Sequence, residues 1–392
     1  MAGGHNTSTS QDTTNPGDVV AKLNYYYNDG GRPWLYARQR TSKDKHSEDY
    51  GGSPELLDLP IRNGRFHDLR LDQHAFQLVQ QQTLLSNQDF VKNPNYVIEQ
   101  TYYPEIERLI QQVTGAARVV CIHHQTRNGK RGYGGQVSET QYATDVHTDT
   151  SPASAETTFF ETLQEAKLGS EYEKGRFLYI NAWRSIDDVH PIQDNHLAVC
   201  DETSLIKPDD YILYDYYGPD DYAGAHYYLS SRNADRHRWY YFPEMVKNEV
   251  LLFKQFDSDP TLAGRMCFHS AITTNSTTTI PRQSIEVRCV AFFPHHRPNT
   301  CPSSDGPVRV AVGQLLLQVQ YINEWPRMQR WWFKDLVQRG KFETLLHDLV
   351  FKDTNNDLGL KGVKRETKEQ VCAYAMKQGF VATAQKAVEQ LK

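Results

Sequence analysis

The stretch RQSIEVRC, residues 282–289, has the pattern of an extended strand whose side chains divide between two faces. Successive side chains of a β-strand point to opposite sides. One face is polar and the other is largely apolar; the polar face carries Arg282, Ser284, Glu286 and Arg288. Beyond it, Val290 and Phe292 return that same face to apolar character. A charged group confined in this way is typical of a barrel lumen that is lined for an anionic ligand.

The segment around this strand, residues 117–294, is a succession of short β-type runs separated by turn-rich stretches. RFLYINAWR at 176–184 and EVLLFKQFD at 249–257 are examples. Short strands at this density predict a barrel or a double-sheet jelly roll. We expect a mainly β protein with flanking helices, one of them at 104–114, where a proline lies in the first turn and Gly115 follows the last.

The remaining segments define the predicted domain organisation. Residues 1–18 are polar and have nothing to bury, so we expect a disordered tail. The main domain is predicted at 19–304, with its jelly-roll core at about 117–294. The helical spacing of apolar residues between Asp72 and Asp89 predicts a further helix there.

Residues 305–392 are predicted to form a C-terminal helical extension. Trp331, Trp332 and Phe333 follow one another, so they cannot all lie on one side of a helix. We expect them to pack on the barrel or on a second copy of the chain, which would make the protein a homo-oligomer.

Composition excludes several classes of protein. The formal charge is 43 − 48 = −5, without the basic stripe expected of a nucleic-acid binder. The six cysteines form no C-x-x-C pair, as is usual for a reduced, cytoplasmic protein. No secretory signal and no run of about 20 apolar residues is present, so we expect no membrane association.

The candidate metal ligands begin with VHTD at 146–149. His147 and Asp149 share one face of a strand and can chelate one ion. His269, 122 residues further on (269 − 147), ends another strand-like run and offers a second imidazole. Two histidines and one carboxylate suit non-haem iron(II) that reacts with oxygen. Other histidines remain open as the third ligand: His123, His124, His190, His196, His226, His237, His295 and His296.

The polar face of 282–289 suggests a second ligand. Arginine offers a planar pair of donors to a carboxylate, and a serine adds a hydrogen bond. Arg282 with Ser284 therefore fits the distal carboxylate of 2-oxoglutarate, whose keto-acid end would chelate the metal. Arg288 lies on the same face, and the sequence leaves open whether it binds this ligand or pairs with Glu286.

Several phrases of the chain resemble the AsaB-type hydroxylase/desaturase family, which includes the fungal gibberellin desaturase and CmcJ-like proteins. They are YYPEIERLIQQVTGAARVV, VHTDTSP, INAWR, HRWYYFPEM and PRQSIEVRC, within residues 22–294. The resemblance implies a double-stranded β-helix, iron(II), 2-oxoglutarate, molecular oxygen and oxidation of a small secondary metabolite. The family's H-x-D falls on His147 and Asp149, and its second histidine on His269. Thr150, where the family has glutamine, and the helical extension depart from the pattern.

The predicted function is therefore an iron(II)/2-oxoglutarate-dependent oxygenase that hydroxylates, desaturates or cyclises a small molecule. Two alternatives stay open: an iron-dependent oxidase that does not use 2-oxoglutarate, and a metal-free barrel for small-molecule binding or assembly. Aromatic and amide side chains on two strands are predicted to bind the substrate: Tyr179, Asn181, Trp183, Trp239 and Tyr240.

Overall fold

The computed structural model gives most of the chain in atomic detail. It describes residues 15–41, 44–92, 94–128, 142–173, 175–207, 209–218, 223–274, 280–295, 312, 315–316, 318–319, 322, 327–352, 365–389 and 391. The described strands are β1 Val19–Tyr26, β2 Trp34–Tyr36, β3 Tyr50–Gly51, β4 Pro54–Asn63, β5 Phe76–Gln80, β6 Arg118–Asn128, β7 Arg176–Ser185, β8 His196–Cys200, β9 Tyr211–Tyr217, β10 Ala223–Leu229, β11 Trp239–Tyr241, β12 Glu249–Asp257, β13 His269–Ile272 and β14 Gln283–Phe293. The described α-helices are α1 Leu71–His74, α2 Asn87–Lys92, α3 Pro94–Val97, α4 Tyr103–Thr114, α5 Pro152–Glu165, α6 Arg327–Gln338, α7 Phe342–Phe351, α8 Arg365–Lys377 and α9 Phe380–Glu389.

These strands build the two walls of a jelly roll. One wall is a five-stranded sheet in the order β5-β12-β7-β14-β6. The other consists of a five-stranded sheet, β1-β4-β11-β8-β13, and a four-stranded sheet, β10-β9-β2-β3. His147 joins these two, because it forms isolated bridges with Tyr228 of β10 and His269 of β13. The predicted mainly β fold with a jelly-roll barrel is confirmed.

The two faces of β14 lie where alternation predicts. Ile285, Val287 and Cys289 are fully buried in one cluster with Ile106 and Ile110 of α4. Helix α4 carries a proline in its first turn and ends at Gly115, whose φ of 73° is the left-handed conformation that glycine adopts readily. Burying each such aliphatic side chain contributes about 1.5–3 kcal/mol. The helix thereby covers the apolar face of the sheet, and the polar face of β14 is left to the lumen.

Two predictions about the N-terminal third differ from the structure. Between Asp72 and Asp89, only the short α1, capped by Ala75 with φ 71°, and the beginning of α2 at Asn87 are helical. The residues after α1 form β5, because their backbone pairs with β12 at the edge of the sheet. The jelly-roll core does not begin near residue 117, since β1 and β4 already belong to its sheets. Long-range pairing overrides local helical spacing here.

The predicted disordered tail is structured at its end. Residues 1–14 lie outside the described residues. In residues 15–18, however, Asp18 accepts hydrogen bonds from the backbone N–H groups of Asn15 and Asn63, at 2.8 and 2.7 Å. This turn ties the beginning of β1 to the end of β4.

The C-terminal helices share a hydrophobic core of their own. Its buried members all lie between residues 312 and 387, on α6–α9 and on the residues described before α6. Phe333 is fully buried in this core, whereas Trp331 is 69% exposed. Phe333 thus packs within the helical region itself, and not on the barrel or on a second copy of the chain as predicted. Among the described residues, no helix has the length and apolar character needed to cross a bilayer.

Candidate metal centre

His147, Asp149 and His269 come together at one end of the lumen. Their potential ligand atoms all lie within 4.8 Å of one another. Asp149 Oδ1 is 3.4 Å from His147 Nε2 and 3.7 Å from His269 Nε2. Among the described residues, no other group of at least three histidine, cysteine or acidic side chains is this close. His296 lies outside the described residues, and the other seven alternatives are not part of this cluster.

The backbone determines how both imidazoles are presented. His147 and His269 are paired antiparallel, and each backbone N–H donates to the other residue's carbonyl, at 3.2 and 2.9 Å. His147 Nδ1 lies 2.7 Å from Asp145 O, and His269 Nδ1 lies 3.2 Å from Cys267 O. These contacts favour the tautomer in which Nδ1 carries the proton, so both Nε2 lone pairs are directed at the centre.

The electrostatics favour a charged aspartate and a neutral histidine. Burial and the neighbouring His147 lower the pKa of His269 to about 3, so this ring is neutral at ordinary pH. Burial would raise the pKa of Asp149, but the charge of Arg288, with the neighbouring His147, outweighs it and holds the pKa well below its usual range. A neutral imidazole and an ionised carboxylate are the forms that ligate a metal.

Arg288 lies beside this carboxylate. Its Nη2 is 3.1 Å from Asp149 Oδ2, and its Nε is 3.4 Å from Glu286 Oε1. Arg288 therefore faces two carboxylates supplied by the chain itself. The prediction that Arg288 binds a carboxylate of 2-oxoglutarate gains no support from these contacts.

Arg282 has a different environment, in the same cavity. Its guanidinium lies 4.0 Å from the ring centre of Tyr142 and 5.4 Å from that of Trp183, and it donates to Asn195 O. Among the described residues, no carboxylate is within ion-pair distance of it. Burial and the charge of Arg127 lower the pKa of Arg282 to about 9. A buried cation of this kind favours an anionic partner.

Ser284 lies on the lumen-facing side of β14 between two residues that line the cavity, Arg282 and Glu286, but it is itself buried behind the cavity surface. It is 1% exposed, and its Oγ has no hydrogen-bond partner among the described residues. A buried hydroxyl without a partner costs free energy unless a ligand satisfies it. The cavity brings together the three candidate metal ligands and Arg282, and it is lined by Arg127, Ala143, His147, Asp149, Trp183, Leu197, His269, Ala271, Arg282, Glu286 and Arg288. The two imidazoles and the carboxylate are a donor set that suits iron(II), and the buried guanidinium of Arg282 suits a carboxylate.

The structure separates the three substrate-binding candidates of β7. Trp183 lines the cavity and contacts Arg282. Asn181 instead donates from Nδ2 to Asp149 Oδ2 at 2.9 Å, so its contact is with a metal-binding carboxylate and not with an open substrate site. Tyr179 is 6% exposed and packs in a hydrophobic cluster with Phe177 and Phe256.

The two substrate-binding candidates of β11 belong to the protein core, which corrects the prediction. Trp239 is fully buried and donates from Nε1 to Tyr25 Oη at 2.7 Å. Tyr240 is 6% exposed and packs against Phe76 and His67. Strand β11 lies in the middle of a sheet between β4 and β8, so its aromatic side chains fill the interior.

Two residues near the centre were not singled out by the sequence analysis. Gln255 accepts a hydrogen bond from the backbone N–H of Asp149 at 2.8 Å. Arg127 lines the cavity from β6, directly opposite Ser284 in the strand register. Strand alternation did not indicate Arg127, because β6 carries no ligand motif. It did not indicate Gln255 either, because this residue occupies an irregular position of β12.

Comparisons with known proteins agree with this geometry. A family model described as Oxidoreductase/YMDC permease-like domain matches residues 23–292. The alpha-ketoglutarate (2-oxoglutarate)-dependent dioxygenase tstK of Talaromyces stipitatus is 29% identical over 268 residues, covering 62% of this chain and 92% of tstK. The hydroxylase/desaturase efuI of Hormonema carpetanum is 31% identical over 267 residues, covering 62% of this chain and 85% of efuI.

A solved structure has the same fold. The iron and alpha-ketoglutarate-dependent endoperoxidase NvfI superposes with a TM-score of 0.59 at 22% identity, covering 70% of this chain and 98% of its own. The matched family segment agrees with the extent of the resemblance at 22–294, and it ends before the C-terminal helices.

Proposed function

Because the chain belongs to the Oxidoreductase/YMDC permease-like domain family, we propose that it oxidises a small organic molecule at the centre formed by His147, Asp149 and His269. It is an oxidoreductase of the iron(II)- and 2-oxoglutarate-dependent class, like the fungal dioxygenases and hydroxylase/desaturases similar to it. The observation that carries the proposal is the convergence of two imidazole nitrogens and one carboxylate oxygen, all within 4.8 Å of one another.

Each residue of the centre has a proposed role. His147 Nε2, His269 Nε2 and Asp149 Oδ1 hold iron(II), the metal that suits this ligand set. Arg282 binds the distal carboxylate of 2-oxoglutarate, and Ser284 donates a hydrogen bond to it. Iron with 2-oxoglutarate and oxygen supplies the oxidising power to remove hydrogen from a C–H bond. The apolar wall of Trp183, Leu197 and Ala271 keeps bulk water away from the reacting atoms.

Hydroxylation, desaturation and ring closure all begin with removal of a substrate hydrogen, so the centre serves each of them. We propose a secondary metabolite as substrate, in keeping with the hydroxylase/desaturase efuI and the dioxygenase tstK. The choice among the three outcomes depends on the substrate pose within the cavity.

Anaerobic titration of the purified protein with iron(II) and 2-oxoglutarate tests the proposal. We expect a visible charge-transfer band from the metal to the keto acid, which saturates at one equivalent of each. Iron binding without this band, with turnover that consumes no 2-oxoglutarate, would favour the iron-dependent oxidase. Absence of any iron binding would leave the metal-free barrel.

Three further properties belong to the proposal. Residues 305–392 are proposed as a separate helical extension, supported by their own hydrophobic core. Association of two copies through α6 is supported by its exposed side chains Met328 and Trp331, 77% and 69% exposed and one turn apart. A cytosolic location is supported by the free buried thiols, Cys121, Cys200, Cys267 and Cys289. Light scattering of the full chain in solution tests the association.

A further inference from the structure

Strand β12 contains an irregularity beside the metal centre. Its register with β7 runs from Leu251 to Lys254, then shifts, so that Phe256 lies opposite Tyr179 and Gln255 is an extra residue. Such β-bulges redirect a side chain and are frequent next to active sites. Here the bulge places Gln255 against the backbone of Asp149.

Gln255 is fully buried, and its single hydrogen bond among the described residues goes to the metal-binding segment. Its Oε1 accepts from the backbone N–H of Asp149 at 2.8 Å, while its Nε2 has no partner among those residues. Burying an amide that is only half satisfied is unfavourable for folding. A leucine of similar size would fill this position without that cost, so packing alone does not explain the glutamine.

Two neighbouring strands, β7 and β14, contact the side chain of the same aspartate. Asn181 of β7 and Arg288 of β14 lie directly opposite each other in the register. Asn181 Nδ2 donates to Asp149 Oδ2 at 2.9 Å, and Arg288 Nη2 lies 3.1 Å from the same oxygen. Three adjacent strands thus each direct one polar side chain to Asp149, and only Oδ1 faces the two histidines.

We propose that Gln255 is a positioning residue for the metal ligand Asp149, and that it forms with Asn181 and Arg288 a clamp that fixes this carboxylate. Gln255 anchors the backbone of Asp149, while the other two residues engage Oδ2 and prevent rotation of the carboxylate. Oδ1 is then presented to the metal as a single ligand atom. The inference rests on the proposed function, since it assigns a role toward the metal.

Cobalt(II) titration of the full-length, metal-free protein, followed by visible absorption, tests the clamp without turnover. Removing a side chain that orients a metal ligand typically weakens metal affinity 10- to 100-fold. We expect this loss for Gln255→Leu, together with a shifted absorption band. Gln255→Glu retains an acceptor for the Asp149 N–H and should bind within a few-fold of the natural protein. Gln255→Glu also keeps the test valid if Gln255→Leu does not fold. A Gln255→Glu protein that folds but binds cobalt as poorly as a variant that lacks a metal ligand would overturn the clamp.

Gln283→Leu is the matched control. Gln283 lies in the same sheet, on the face of β14 opposite the lumen, where its Nε2 donates to Asp187 at 3.0 Å. The variant therefore also replaces a glutamine by leucine, but away from the candidate metal ligands. We expect its cobalt affinity to be unchanged. Equal weakening in Gln283→Leu and Gln255→Leu, or normal affinity in folded Gln255→Leu, would overturn the clamp and leave the proposed function standing. If the natural protein binds no cobalt or iron, the proposed function itself fails.

Discussion

Arg282 directly precedes β14 and Arg288 lies within it, and both line the same cavity. Their surroundings nevertheless differ. Arg288 lies within 3.1–3.4 Å of carboxylate oxygens of Asp149 and Glu286. Arg282 lies over the rings of Tyr142 and Trp183, with no carboxylate of the described residues at ion-pair distance. The chain itself supplies carboxylates to Arg288, whereas the proposed partner of Arg282 is the carboxylate of a ligand.

The difference in surroundings shifts the pKa values of the two guanidinium groups in opposite directions. Burial disfavours the charge of Arg288, but Asp149 and other acidic neighbours outweigh it and raise its pKa well above the usual value. Burial and Arg127 lower the pKa of Arg282 to about 9, since no acidic group compensates them fully. A cation that is stabilised by internal carboxylates supports the fold and the metal ligand. A cation without them is suited to binding a ligand carboxylate.

The largest effect expected concerns the metal on which both arginine assignments depend. His269→Ala leaves two protein ligands, which cannot hold iron in a facial arrangement, so iron binding and turnover should be lost while folding largely survives. Iron content after anaerobic reconstitution, measured with turnover, checks this. Stoichiometric iron and near-normal turnover in His269→Ala would show that the proposed ligand triad is wrong. The roles assigned to the two arginines would then lose the metal site on which they depend.

Arg288→Gln should strongly destabilise the protein. It leaves Asp149 and Glu286 near each other without their shared cation, and breaking a buried ion pair typically costs about 3–5 kcal/mol. The free energy of unfolding of the metal-free protein, from urea denaturation, measures this cost. Arg282→Gln is the paired variant, and we expect it to be neutral or stabilising because it removes a buried charge. Equal losses in both variants would contradict the contrast between the two arginines.

Arg282→Gln should instead weaken 2-oxoglutarate binding. Removing one partner of a buried charge-assisted pair costs about 2–5 kcal/mol, or roughly 30- to several-thousand-fold at about 1.4 kcal/mol per tenfold. The dissociation constant from the charge-transfer titration and the Michaelis constant for 2-oxoglutarate both report it. Affinity for the organic substrate should change little. A normal 2-oxoglutarate affinity would assign the co-substrate carboxylate to another cation, with Arg127 as the next candidate.

The smallest effect expected is that of Ser284→Ala. Loss of one hydrogen bond to a charged group costs about 1.5–3 kcal/mol, which corresponds to roughly 10- to 150-fold in 2-oxoglutarate affinity. Without ligand, the variant should be as stable as the natural protein, because this hydroxyl has no partner among the described residues. Reduced stability of the ligand-free variant would show that Ser284 serves the fold instead.

The predictions from local sequence patterns agree with the structure where neighbouring residues determine the conformation. Helix α4 was predictable from its proline, its apolar spacing and Gly115, and the faces of β14 followed from alternation. The same reasoning failed for Asp72–Asp89, where pairing of β5 with β12 decides the conformation. It also failed for Trp239 and Tyr240, because the sequence does not reveal that β11 lies between β4 and β8.

Local alternation was enough to predict two shared faces, because side chains alternate along any strand. One face carries His147 and Asp149, and the other carries Arg282, Ser284, Glu286 and Arg288. The sequence also offered His269 as a partner. The contacts that join these residues follow from the tertiary structure. The bridge between His147 and His269, the pairing of Arg288 with Asp149 and the bulge at Gln255 depend on strand order and register. These are set by contacts between residues far apart in the chain, so local periodicity carries no information about them.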